Sequence, residues 1–180
     1  MKLLLLLSIV ILFNSCVENS QESLIGKQFS DHKRIAALED FEKVSDTTFY
    51  INQEIEKEYS LLNLKKANTD LIVYSLINSD PNEKRSYTIL DTLMINSKKS
   101  EKITIGYCEF NLRNQSAGNI IALVETIDNK KMFNQSIKAA WSANSQTEKI
   151  EHINNLKNIQ CLNAWYDGES ETITYDELED

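Results

Sequence analysis

Glycine and proline are scarce in this chain: 180 residues contain four glycines and one proline. So few glycines leave little material for loops that cradle phosphate, and no GxGxxG, P-loop, GxSxG or HExxH pattern occurs. No Gly/Pro linker or charge boundary divides the chain beyond its first residues, which points to one domain. Cysteine occurs only at Cys16, Cys108 and Cys161, without a CxxC spacing or a Cys/His cluster, and this argues against a zinc site. Lysine and arginine (19) are outnumbered by aspartate and glutamate (27), for a net charge of −8. A surface this acidic repels phosphate backbones, so nucleic acid is not an expected partner. No cofactor signature is present.

What is there begins at the first residue. Lys2 precedes an apolar run from Leu3 to Phe13, interrupted only by Ser8, and Asn14 and Ser15 lead into Cys16. A charged, then apolar, then small-residue order is that of a secretory signal peptide. The run is too short to span a bilayer as a helix. Leu12-Phe13-Asn14-Ser15-Cys16 resembles the lipobox of bacterial lipoproteins, in the looser form found in Bacteroidetes. The resemblance implies acylation of the Cys16 thiol, with palmitate-type chains, and cleavage just before it. Two or more chains hold a protein on a membrane stably where one does not. Val17 after the cysteine resembles outer-membrane sorting, so the expected location is the cell envelope, facing the periplasm or the outside. The division expected is a signal peptide over 1–15, a lipid-anchored tether over 16–30, a single domain over 31–166 and an acidic tail over 167–180. That tail lacks the acid ladder and central glycine of an EF-hand.

With Cys16 taken by lipid, Cys108 and Cys161 remain. An oxidising compartment favours one disulfide between them, worth about 4 kcal/mol in the chain-entropy model for a loop of about fifty residues. Two separately buried thiols are the alternative.

Ser30-Asp31 reads as a cap before a helix, with Ile35, Leu38, Phe41 and Val44 recurring at a helical interval; Ile55, Tyr59 and Leu62 suggest a second helical stripe. From Asp70 the pattern becomes short β-rich runs separated by polar turns: 70–77, 85–95, 102–110, 119–126, 132–143, 149–153 and 159–162. The fold class expected is α+β, with one or two N-terminal helices packed on a curved antiparallel meander of about five to seven strands.

The run Tyr87-Thr88-Ile89-Leu90-Asp91-Thr92-Leu93, Cys108, the block Ile120–Val124, Ala140-Trp141-Ser142-Ala143-Asn144, Thr147-Glu148-Lys149-Ile150-Glu151, Ile153 and Cys161-Leu162-Asn163 together resemble a family of secreted bacterial lipoproteins. Members carry Gly where Glu148 stands here, a basic residue at Ser142 and Glu at Ala164. The resemblance implies a compact sheet and a Cys108–Cys161 pairing, and it carries no chemistry.

Among possible site residues, Asp91 stands out. In a period-two reading it shares an apolar face with Tyr87, Ile89, Leu93 and Ile95, and a carboxylate there needs hydrogen bonds or a raised pKa. Alternatively the other face is buried, or a bulge re-aims it. Trp165 and Tyr166 offer a stacking or partner surface, and Trp141 reads as core. Glu151 and His152 are strand neighbours pointing to opposite faces, so they do not pair as base and orienter. Asp46-Thr47-Thr48 and Asp91-Thr92-Leu93 resemble an O-glycosylation tripeptide. No catalytic constellation emerges. The reading is an anchored binding module for a protein or small ligand, more plausibly non-catalytic, with an envelope hydrolase using a pocket carboxylate or an inhibitor or immunity lipoprotein as alternatives.

Overall fold

The computed structural model describes residues 23–50, 57–79, 84–110, 118–125 and 136–163. The expectation of an α+β fold is overturned: 62% of the structure is strand and, among the described residues, no helix reaches seven residues. The stripe Ile35, Leu38, Phe41 fits a three-residue repeat as well as a 3.6-residue one. It forms two 3-10 turns, His32–Arg34 and Ala36–Leu38, the first capped by the Asp31 side chain accepting from the Lys33 N–H. Of the second stripe, Tyr59 and Leu62 lie on a strand, and Ile55 lies outside the described residues. In Glu58–Lys66, Leu61 faces one core and Leu62 and Leu64 face another, so apolar residues fall at consecutive positions without alternation.

Two antiparallel sheets and a ribbon make up the fold. In the larger sheet, β2 (Glu42–Tyr50), β3 (Glu58–Lys66), β4 (Thr69–Asn78) and β5 (Ser86–Asn96) form a meander. There β1 (Gln28–Phe29), within the stretch read as tether, pairs with β5 through Phe29 opposite Tyr87. The smaller sheet has the order β10 (Lys149–His152), β9 (Ile137–Asn144), β8 (Ile120–Glu125), β6 (Glu101–Ile105). The run 102–110 breaks at Gly106 (φ +78), after which β7 (Cys108–Phe110) leaves to pair with β11 (Ile159–Cys161).

The inner faces of the two sheets share one core. Phe49, Tyr59, Leu61, Ile72, Tyr74 and Ile95 of the larger sheet meet Ile105, Ile121 and Ala143 of the smaller. Phe49, Tyr59 and Tyr74 form a run of aromatic contacts with centroids 5.6 to 6.2 Å apart. Each outer face has its own cover. Ile35 and Leu38 of the N-terminal segment, with Phe29, close over Leu62, Leu64, Leu71, Val73 and Ile89. On the smaller sheet, the β7–β11 ribbon lays Cys108, Ile159 and Cys161 against Ile120, Ala122, Val124 and Ala140. A disulfide joins Cys108 to Cys161, which face each other across that ribbon.

Two glycines seat the sheets at one side. A Cβ on Gly118 would lie 2.9 Å from the Phe49 Cβ, and one on Gly106 would lie 3.0 Å from the Thr47 Cγ2, so both connections press directly on β2. Glu148, where the resembled family has glycine, adopts φ +55.

Tyr74 is fully buried and its hydroxyl has no partner. Burial pushes the phenols of Tyr74 and Tyr59 above their ordinary value of 10.0. The neutral form is thus the one that folding favours, and that stabilisation is complete below pH 10 and is lost as pH rises beyond it. Tyr74→Phe removes an unpaired buried hydroxyl, so urea unfolding at pH 7 is expected to show unchanged or higher stability, by up to about 1 kcal/mol. Between pH 10 and 11 the variant is expected to lose stability less steeply than the parent.

Candidate functional site

Asp91 turns out to join the two sheets. The β4–β5 register shifts so that Tyr74 faces Asp91 while Ser75 faces Ile89, leaving Leu90 as the extra residue. This bulge moves the apolar set across the sheet: Ile89 packs in the outer core, whereas Leu93 and Ile95 pack in the inner one. Asp91 emerges at the margin, half-buried. Its Oδ2 accepts the Ile150 N–H of β10 at 2.8 Å and its Oδ1 accepts the Thr92 N–H at 2.9 Å. The carboxylate thus holds the edge strand of the smaller sheet to the larger one, opposite the side where the glycines make contact.

The other sequence-read residues divide as follows. Trp141 packs against the inner core, with the His152 ring edge-on at 5.9 Å. His152 is exposed and its Nδ1 meets Asn154 Oδ1, while Glu151 turns to Asn144 and Thr147. Those two hydrogen bonds hold the Glu151 carboxyl below its ordinary value. Thr47 lies against Gly106, and Thr92 lines a groove discussed below. Trp165, Tyr166 and the acidic tail lie outside the described residues.

The structure builds a site that the sequence did not announce. A cleft of about 360 Å³ opens on the outer face of the larger sheet, beyond the edge of its N-terminal cover. Its residues come from four separate places: Phe29 to His32 after β1, Lys43 and Asp46 on β2, Ser60 and Leu62 on β3, and Lys84 and Tyr87 at the start of β5. Ser60 and Leu62 point the same way on β3 and form the floor. Phe29 stacks on Tyr87 at 5.2 Å to make one wall, and the Arg85 guanidinium lies 5.9 Å from the Tyr87 centroid. Opposite Ser60 in the register, Ser75 is buried and its hydroxyl lacks a partner.

Much of the charge in this cleft is already committed. Lys43 Nζ donates to Asp46 Oδ2 at 2.7 Å. Asp31 caps the first 3-10 turn. His32 Nε2 lies 3.2 Å from the Phe41 carbonyl, an acceptor only, so this nitrogen carries the proton. The other ring nitrogen faces Asp31 Oδ1 at 3.8 Å. The Nε2 side of the imidazole is thus occupied by the protein's own carbonyl, while Nδ1 lies beside the Asp31 carboxylate but beyond hydrogen-bond distance of it. Among the described residues, Lys84 has no ion-pair partner, and the Ser60 and Tyr87 hydroxyls have no hydrogen-bond partner. The cleft thus offers the Lys84 ammonium, hydroxyls, the second carboxylate oxygens of Asp31 and Asp46, and the Phe29–Tyr87 wall. Among the described residues, no group of three or more His, Cys, Asp or Glu side chains is placed to hold a metal ion.

Comparison of the chain with protein families, curated proteins and solved structures finds no match.

Asp91→Ala leaves the Ile150 and Thr92 amides unpaired. It is expected to cost about 1.5–3 kcal/mol by urea unfolding. Amide exchange should quicken first in β10, and Asp91→Asn should retain part of the loss because its amide oxygen still accepts.

Proposed function

We propose that this chain is an envelope lipoprotein, anchored through acylated Cys16, whose globular part is a non-catalytic binding module for a small polar ligand. The observation that carries the binding reading is the cleft between β1, β3 and β5. The Lys84 ammonium and the Ser60 and Tyr87 hydroxyls suit a polar molecule, beside the stacked Phe29–Tyr87 wall. A volume of about 360 Å³ falls within the range of small-molecule sites. Both oxygens of Asp91 accept backbone N–H groups that tie the two sheets together, which supports a structural role for this carboxylate over the hydrolase alternative. The anchor reading rests on the sequence of residues 1–16.

Mass analysis of the mature protein from its native membrane is expected to find an amino terminus at Cys16 carrying two or three acyl chains. A retained leader or a bare thiol overturns the anchor. For the cleft, ligand-observed NMR with panels of amino acids, short peptides and oligosaccharides should find a binder that Ser60→Leu or Lys84→Met weakens by about tenfold. Binding that ignores both substitutions overturns the site.

A further inference from the structure

The second recess on the outer face of the larger sheet differs from the first in kind and in place. It measures about 320 Å³ and lies where the described chain begins, with Leu24, Ile25, Phe41, Leu71 and Met94 around it. Ile25 is 44% exposed and Met94 61% exposed. Such side chains at one lip form an apolar patch that water disfavours.

The length of chain before this point decides what meets it. Ile25 lies nine residues after Cys16, and a fully extended stretch of that length reaches about 31 Å. An acylated Cys16 sits at the bilayer surface, so the Ile25 end of the lip stays within that reach of lipid. At such a tether length the lip meets the bilayer at a high effective concentration, and even a weak apolar contact becomes populated. We propose that the Ile25–Met94 lip is the membrane-facing surface of this protein and inserts shallowly among the lipid headgroups. This inference rests on the anchored reading of Cys16.

Charge does not carry the contact. Among the described residues, none that lines the recess is charged. Contact therefore depends on apolar burial and is insensitive to salt and to headgroup charge. The orientation has a consequence for the cleft. Tyr87 lies seven residues before Met94 on β5, about 23 Å along the strand. With the lip on the membrane, the Phe29–Tyr87 wall of the cleft stands away from it.

The test uses the full acylated protein reconstituted in phosphatidylcholine vesicles containing shallow spin-labelled lipid. Because Cys108 and Cys161 are bonded to each other, a single introduced cysteine carries the fluorophore. Met94→Cys and Ile25→Cys place it on the lip, and Tyr50→Cys places it on a 67% exposed residue at the opposite end of the strands. Quenching is expected to be about threefold stronger at 94 and 25 than at 50, and unchanged in high salt. Vesicle flotation of the parent protein with equal quenching at all three positions overturns the inference and leaves the anchor standing. Failure of the parent to float overturns the anchor, and this inference with it.

Discussion

The inner core between the two sheets is the contact on which the rest of the molecule depends. An antiparallel sheet must bury at least one face, and the described residues offer no helix long enough to cover one. The sheets therefore cover each other, with Tyr59, Leu61, Ile72 and Tyr74 set against Ile105, Ile121 and Ala143. Once the inner faces are used, the outer faces still carry Leu62, Val73 and Ile89 on one side and Ile120, Ala122 and Val124 on the other. Short irregular pieces close them: a segment with two 3-10 turns, and a disulfide-bonded ribbon. The disulfide belongs to this economy, since it fixes a cover too small to hold itself in place by burial alone.

The candidate site follows from that arrangement. The N-terminal segment is too short to cover the whole outer face of the larger sheet, and the uncovered part becomes the cleft above Ser60. Where the segment begins, the same incomplete cover leaves the apolar lip of Ile25 and Met94. One end of the face thus holds polar groups suited to a ligand, and the other holds apolar groups beside the tether. Asp91 and the two glycines act at the margins between the sheets. The carboxylate ties β10 to β5, and Gly106 and Gly118 let two connections press on β2.

The strands from Asp70 onward were legible because polar turns separate them and because alternation or continuous apolar runs mark how many faces are buried. The N-terminal third was not. A repeat of three residues cannot distinguish a 3-10 turn from an α-helix over one or two turns. β3 hides its period because both of its faces are buried. The β3–β4 hairpin also lacks the usual signal: its turn is Ala67-Asn68, with Ala67 at φ +55 where glycine is favoured. Asp91 was visible as an anomaly, a carboxylate in an apolar run. Its role was not, since the bulge at Leu90 and the amide of Ile150, fifty-nine residues away, leave no local trace. The cleft was invisible for the same reason, being assembled from four short pieces that share no motif. His32 has an 11% exposed side chain because the Phe41 carbonyl draws it inward.

If the two sheets share one core, damage to either must be felt in both. Ile121→Ala removes a fully buried side chain of the smaller sheet from that core, at a cost of about 2–5 kcal/mol. Native-state hydrogen exchange of the variant is expected to show this loss in the slowest amides of β3 and β4 as well as in those of β8 and β9. A loss confined to β6, β8, β9 and β10, with β3 and β4 protected as in the parent, would contradict the shared core.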